Sequence, residues 1–150
     1  MLGSTAKEIV QLWATVEANS TQIPQFQQLN PRNGASVPFS LPQNQALFVS
    51  DISAFPFLGP GFAPNTNIRF SLMSEFPGQS VRRWGFQGWI TQNIERSYAT
   101  PIVFCSAPSV QFTADPNPAP NPQIVLNVIL YGYLDSMPPQ PPTGVNASVG

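Results

Sequence analysis

The chain has 150 residues, with six Lys and Arg, seven Asp and Glu, no His and a single Cys. Charged residues make up 9%, against roughly 25% in an ordinary soluble domain, and polarity comes instead from 13 Gln and 11 Asn. A formal net charge of −1 gives little long-range field for an anionic partner and argues against nucleic acid, while the lack of His excludes a Ser-His-Asp triad, a Cys-His pair and a histidine metal site.

The length suits one domain, and 42% hydrophobic residues with 11 Phe are enough for a sizeable core. The 18 Pro are spread along the chain. Pro, Gly and aromatics with few helix formers indicate an all-β domain with many turns.

Residues 1–22 carry two patterns. Thr5 and Glu8 match a capping box, with Ile9, Leu12, Trp13 and Val16 on one helical face. Leu12, Ala14 and Val16 also alternate as in a strand. The reading adopted is a short helix or an arm. The start, MLGSTAKEIVQLW, lacks a basic region followed by an apolar one and is read as having no signal peptide. Pro24, Pro31, Pro38 and Pro42, with the Asn33-Gly34 turn signal, make an extended linker entering a short edge strand over residues 37–41.

The first strong strand is ALFVSDISAF, from Ala46. Its Asp51 requires either a bulge or an arginine partner, with Arg69 and Arg96 the candidates. The stretch from Pro56 to Pro64 presents Phe57, Leu58 and Phe62 between turn residues. In NIRFSLM, Ile68, Phe70 and Leu72 face inward and Arg69 and Ser71 outward. VRRWGFQGWI puts Trp84, Phe86 and Ile90 on one face and Arg83, Gln87 and Trp89 on the other. Cys105, within IVFCSA, reads as a small buried hydrophobe. Val110 and Phe112 mark a further short strand, and the Pro-rich tract from Ala114 to Pro122 is a stiff crossover.

QIVLNVILYGYLD, from Gln123 to Asp135, is the longest apolar run and is bounded by Pro on both sides. It is apolar on both faces of a strand, with Asn127 the one polar intruder. It is therefore expected to be buried on both faces, as the last and central strand. The remaining tail, rich in Pro, offers no core face.

These elements predict an antiparallel β-sandwich, with a jelly roll as the leading topology. The organisation expected is an N-terminal arm or short helix with linker over 1–35, the sandwich over 36–136 and a Pro-rich flexible tail over 137–150. No catalytic, cofactor-binding or metal-binding constellation is predicted, and no stretch suits a transmembrane helix.

Trp84, Trp89, Tyr131 and Tyr133 are candidates for a sugar platform, with core or interface packing as the competing account. Trp13, Phe26, Phe57, Leu58, Phe62 and Trp89 exceed what a two-layer core needs and are the candidate interface residues. Little charge keeps copies apart, so a homo-oligomer is expected, a trimer first and larger symmetric assemblies next. The expected function is a non-catalytic structural protein of a multi-subunit assembly: a virion capsid, decoration or fibre-associated component, located in a virion or extracellular assembly. The alternative is a carbohydrate- or receptor-binding module.

Overall fold

The computed structural model describes residues 8–18, 25–58, 66–89, 93–115 and 124–138, with backbone alone at 57, 58 and 115. Most of the crossover tract, most of the tail and the loop with Phe62 lie outside the described residues.

Among the described residues nine strands form: β1 (Glu8–Glu17), β2 (Gln27–Leu29), β3 (Ser36–Pro38), β4 (Gln45–Leu58), β5 (Asn67–Phe76), β6 (Gln79–Trp89), β7 (Ile94–Phe104), β8 (Pro108–Asp115) and β9 (Ile124–Ser136). One sheet has six strands in the order β3-β2-β1-β9-β4-β7, and the other has three in the order β6-β5-β8. Every pairing is antiparallel. A single apolar cluster joins the inner faces, with Leu12, Leu47, Ile52, Leu126 and Leu130 from the larger sheet and Ile68, Phe70, Leu72 and Phe112 from the smaller.

The pairings nest. The β5–β6 hairpin turns through Pro77 and Gly78, whose φ of +81° matches the glycine of a type II turn. β4 pairs with β7 outside that hairpin, and β1 pairs with β9 outermost.

Of the range 1–22 in which a short helix or an arm is expected, the described residues hold no helix: Glu8–Glu17 form a strand. Val10, Leu12, Ala14 and Val16 are buried at a period of two, and the segment runs in register with β9 from Glu8↔Leu134 to Glu17↔Val125. A helix would bury one stripe and leave β9 without its neighbour, so non-local pairing overrides the local capping signal.

β9 is central, as its composition predicts, but its two faces differ. Ile124, Leu126, Val128, Leu130 and Leu134 are buried, whereas Tyr131 is 39% exposed and Val125, Ile129 and Tyr133 are half-buried. The expectation of burial on both faces is corrected, since the described core covers only one.

Two further corrections concern single residues. Phe26, a candidate interface residue, is 1% exposed and belongs to the core, where the backbone amide of Phe39 donates to its carbonyl. Cys105 is exposed rather than buried, because β7 ends at Phe104 and the chain bends there. It lines an end groove with Leu41, Asn44 and Met137.

β4 and β9 approach closely where β4 shifts register between Val49 and Asp51. A Cβ on Gly132 would lie 2.0 Å from the Phe48 carbonyl oxygen. Backbone on one strand therefore occupies the space a side chain would need on the other.

Two stability outcomes follow from this packing. Leu126→Ala empties a fully buried position and is expected to cost about 2–5 kcal/mol. Asn127→Leu, on the half-buried outer face, is expected to cost less. Urea melts of both variants check the ranking. Gly132→Ala forces the two strands apart and is expected to cost about 1–3 kcal/mol, read as a lower urea midpoint with the far-UV β signature retained.

Candidate functional site

The outer face of the six-stranded sheet carries Ile9, Trp13 and Tyr131 among the exposed apolar side chains. Register places Ile9, Tyr133, Phe48 and Val103 in one row across β1, β9, β4 and β7. The next row holds Gln11, Tyr131, Asp51 and Ser97, and the one after it Trp13, Ile129, Ser53 and Glu95. Ile9 is 84% exposed and Trp13 37%. Phe48 and Tyr133 stack with centroids 5.1 Å apart and planes 4° from parallel. Trp13 is oriented by its indole N–H, which donates to Ser36 Oγ at 3.1 Å. Thr15 Oγ1 donates to Asn127 Oδ1 at 2.9 Å, so the polar intruder of β9 has a cross-strand partner.

The bulge in β4 shapes a pocket of about 240 Å³ in this face, lined by Asp51, Ser53, Glu95, Arg96, Ser97 and Tyr131. Of the alternatives for Asp51, the structure selects the bulge over an arginine partner. Ser50 Oγ donates to Asp51 Oδ2 at 2.7 Å, and the Ser97 hydroxyl donates to Oδ1. The Ser97 hydroxyl and then that of Ser50 hold the Asp51 carboxyl below its ordinary range. Arg96 sends Nη1 to the Glu95 carbonyl at 2.9 Å and lies 5.8 Å from the Phe86 ring centroid.

The four aromatics weighed as a sugar platform, for which core or interface packing is the favoured reading, are not assembled as one surface. Trp84 packs on Phe70 and directs its indole N–H to the Tyr98 hydroxyl. Trp89, 51% exposed, lies on the outer face of the three-stranded sheet, while Tyr131 and Tyr133 lie on that of the six-stranded sheet. Of the candidate interface residues, Trp13 and Trp89 are exposed on opposite faces. Phe57 and Leu58 belong to the backbone of β4 rather than to a loop, with side chains outside the described residues.

The helical pattern puts Ile9 on one face with Leu12, but the strand puts the two on opposite faces. The alternation of Val10, Leu12, Ala14 and Val16 was the signal for this. No local signal marked the pocket, because its residues come from β4, β7 and β9.

Both edges of the six-stranded sheet and the β8 edge of the smaller one are blunted. β3 has three residues and ends on Pro38, and β8 begins with Pro108. β7 carries Pro101, and its Val103 carbonyl accepts from Arg83 Nη2 at 3.1 Å. On the smaller sheet, Ser109 Oγ donates to Glu75 Oε1 at 2.6 Å and the Ser80 hydroxyl donates to Oε2. These bonds, that from Ser109 first, lower the Glu75 carboxyl below its ordinary range.

Among the described residues, no group of three or more His, Cys, Asp or Glu is placed to hold a metal ion, and no helix is long and apolar enough to cross a membrane. No family model matches the chain, and no curated protein sequence matches it.

The two depressed carboxyls set a pH dependence. A group with a lowered folded pKa contributes stability that is present above its ordinary value and lost as pH falls through the folded value. The ordinary values are 3.8 for Asp51 and 4.5 for Glu75, so the contribution is complete above about pH 5 and declines below pH 4.5. Thermal melts from pH 6 to pH 3 are expected to show this decline, with a shallower slope for the Ser97→Ala, Ser109→Ala double variant.

Proposed function

We propose that the chain is a non-catalytic structural subunit of a multi-copy assembly, of the kind that forms a virion capsid, a decoration layer or a fibre-associated part. The observation that carries this reading is the clustering of Ile9, Trp13 and Tyr131, all exposed, on the outer face of one sheet whose edges are blunted. Exposed apolar side chains gathered on one sheet face leave water favourably on association. Blunted edges direct association to that face rather than to edge-to-edge pairing.

The reading includes a jelly-roll winding. With the short β2 and β3 set aside, the sheets run β1-β9-β4-β7 and β8-β5-β6. The nested β5–β6, β4–β7 and β1–β9 pairs are what a long antiparallel hairpin rolled into two layers would leave. That winding occurs in coat proteins and in lectins, so it is the face, not the fold, that favours the coat. A trimer or larger symmetric assembly, in a virion or extracellular structure, is the form proposed.

A second reading is supported by the bulge pocket. The Tyr131 ring beside the oxygen acceptors of Asp51, Ser53 and Glu95 suits a sugar ring better than a flat apolar contact. A glycan array that labels the protein, with loss of binding in Tyr131→Ala, would favour this carbohydrate module.

Light scattering at micromolar concentration tests the assembly reading. The expected mass is a multiple of 16.3 kDa. Ile9→Lys, at a position 84% exposed, is expected to leave the fold intact and weaken association. Trp13→Ala is expected to weaken it by about 2 kcal/mol, the range of an aromatic interface anchor. A monomer across all concentrations would reject the homo-oligomer.

A further inference from the structure

The edges of the two sheets are finished unevenly. β3 is three residues long and ends on Pro38, β7 carries Pro101, and β8 begins with Pro108. β6 is the remaining edge. It runs for 11 residues without a proline. Among the described residues it pairs with β5 on one side and with no strand on the other. Its register shifts between Leu72↔Trp84 and Met73↔Arg82, so Arg83 is the extra residue of a bulge. Arg83 directs its guanidinium to the neighbouring edge, where Nη2 donates to the Val103 carbonyl of β7. The bulge and the two arginines blunt the first half of β6. From Trp84 to Gly88 the strand has no bulge, no charge and no proline.

This open stretch is incomplete in two respects. A row of backbone N–H and C=O groups on the free side of a strand is a template for one kind of partner, another extended strand. The inner face at this edge is also only partly covered. Trp84 and Phe86 both pack on Phe70 and against the core, yet they stay half-buried, because β6 is the last strand of its sheet.

We infer that β6 pairs antiparallel with β6 of a second copy about a two-fold axis, joining the three-stranded sheets of the two copies edge to edge. The inference rests on the assembly reading and adds a second contact to the outer face. Charge selects both the partner and the direction. Whichever residue from Trp84 to Gly88 lies on the axis, Arg82 and Arg83 fall opposite uncharged residues of the other copy. A parallel pairing in register would set each arginine against its own counterpart, which is destabilising. A foreign strand would be selected by the side chains it meets, and this stretch has no charge with which to select one. A copy of the same stretch is likewise straight, uncharged and free of proline, and it covers the open side of Trp84 and Phe86 with aromatics of the same kind. Arg96, 5.8 Å from the Phe86 ring centroid, flanks that aromatic seam, where a cation is accommodated. Pairs made through β6 are then gathered by the outer faces into a larger symmetric assembly.

Like charges placed on the open stretch test the pairing. Gln87 is exposed, and a Cβ on Gly85 would meet Arg82 side-chain atoms at 3.4 Å and Ser71 Oγ at 3.6 Å, so a side chain fits there with a small shift of the flexible Arg82. All variants are made in the Ile9→Lys chain, whose outer-face contact is weakened, and far-UV circular dichroism verifies that each keeps its β signature. Light scattering of Ile9→Lys itself is expected to show the β6 pair, a dimer. Adding Gly85→Lys with Gln87→Lys, or Gly85→Glu with Gln87→Glu, is expected to weaken that dimer by about tenfold or more. An equimolar mixture of the two is expected to regain it, because opposite charges then face each other. Gln111→Lys with Thr113→Lys, at exposed positions of the blunted β8 edge, is expected to leave it unchanged. A dimer indifferent to both charge pairs on β6, one weakened equally by the β8 lysines, or a monomeric Ile9→Lys from a parent that assembles overturns the β6 contact and leaves the assembly reading standing. A monomer for the unaltered chain overturns both.

Discussion

The structure depends on β9 lying between β1 and β4, paired with both along nearly its whole length. Leu126, Val128 and Leu130 are buried where the two sheets face each other. The pairing is tight enough that at Gly132 the neighbouring backbone takes the place of a side chain. The register shift in β4 is a consequence of the same approach. It turns Asp51 outward to face Tyr131 and Ser97, and so shapes a pocket in that face. Core and candidate site are thus two sides of one strand pairing.

The scarcity of charge shapes how the chain treats the charges it has. Asp51 and Glu75 are stabilised by serine hydroxyls, from Ser50 on the same strand and from Ser97, Ser109 and Ser80 on neighbouring ones, rather than by arginines. Hydroxyl donors keep a carboxylate ionised and tie strands together without cancelling its charge. Arg83 and Arg96 serve the seam between β6 and β7 through carbonyl oxygens and an aromatic ring.

The edges other than that of β6 and the outer face of the larger sheet are treated in opposite ways. Proline, short strands and an arginine-capped carbonyl protect the ladder ends, where uncontrolled pairing would otherwise begin. The outer face, by contrast, keeps Ile9 and Trp13 in view. A protein shielding itself from all contact would not combine these features. Selective protection of edges with an open apolar face fits a subunit that contacts partners in defined ways.

The sequence by itself determined that the chain is β-rich, that its antiparallel strands alternate, and which residues of β5 and of the inner face of β9 fill the core. These properties are local: a period of two in apolar residues with turn formers between them specifies a strand and its buried side. Ile68, Phe70 and Leu72 could be read in this way because nothing distant contradicted them. Only the tertiary structure decided that residues 8–17 are a strand, since that choice depends on β9, more than 100 positions later, as the Thr15–Asn127 bond illustrates. It also decided that Phe26 is core, that Cys105 faces out, and that the second face of β9 stays partly open. Local pattern states that a side chain is apolar. Whether it is covered depends on which distant strands arrive, and that is a property of the whole packing.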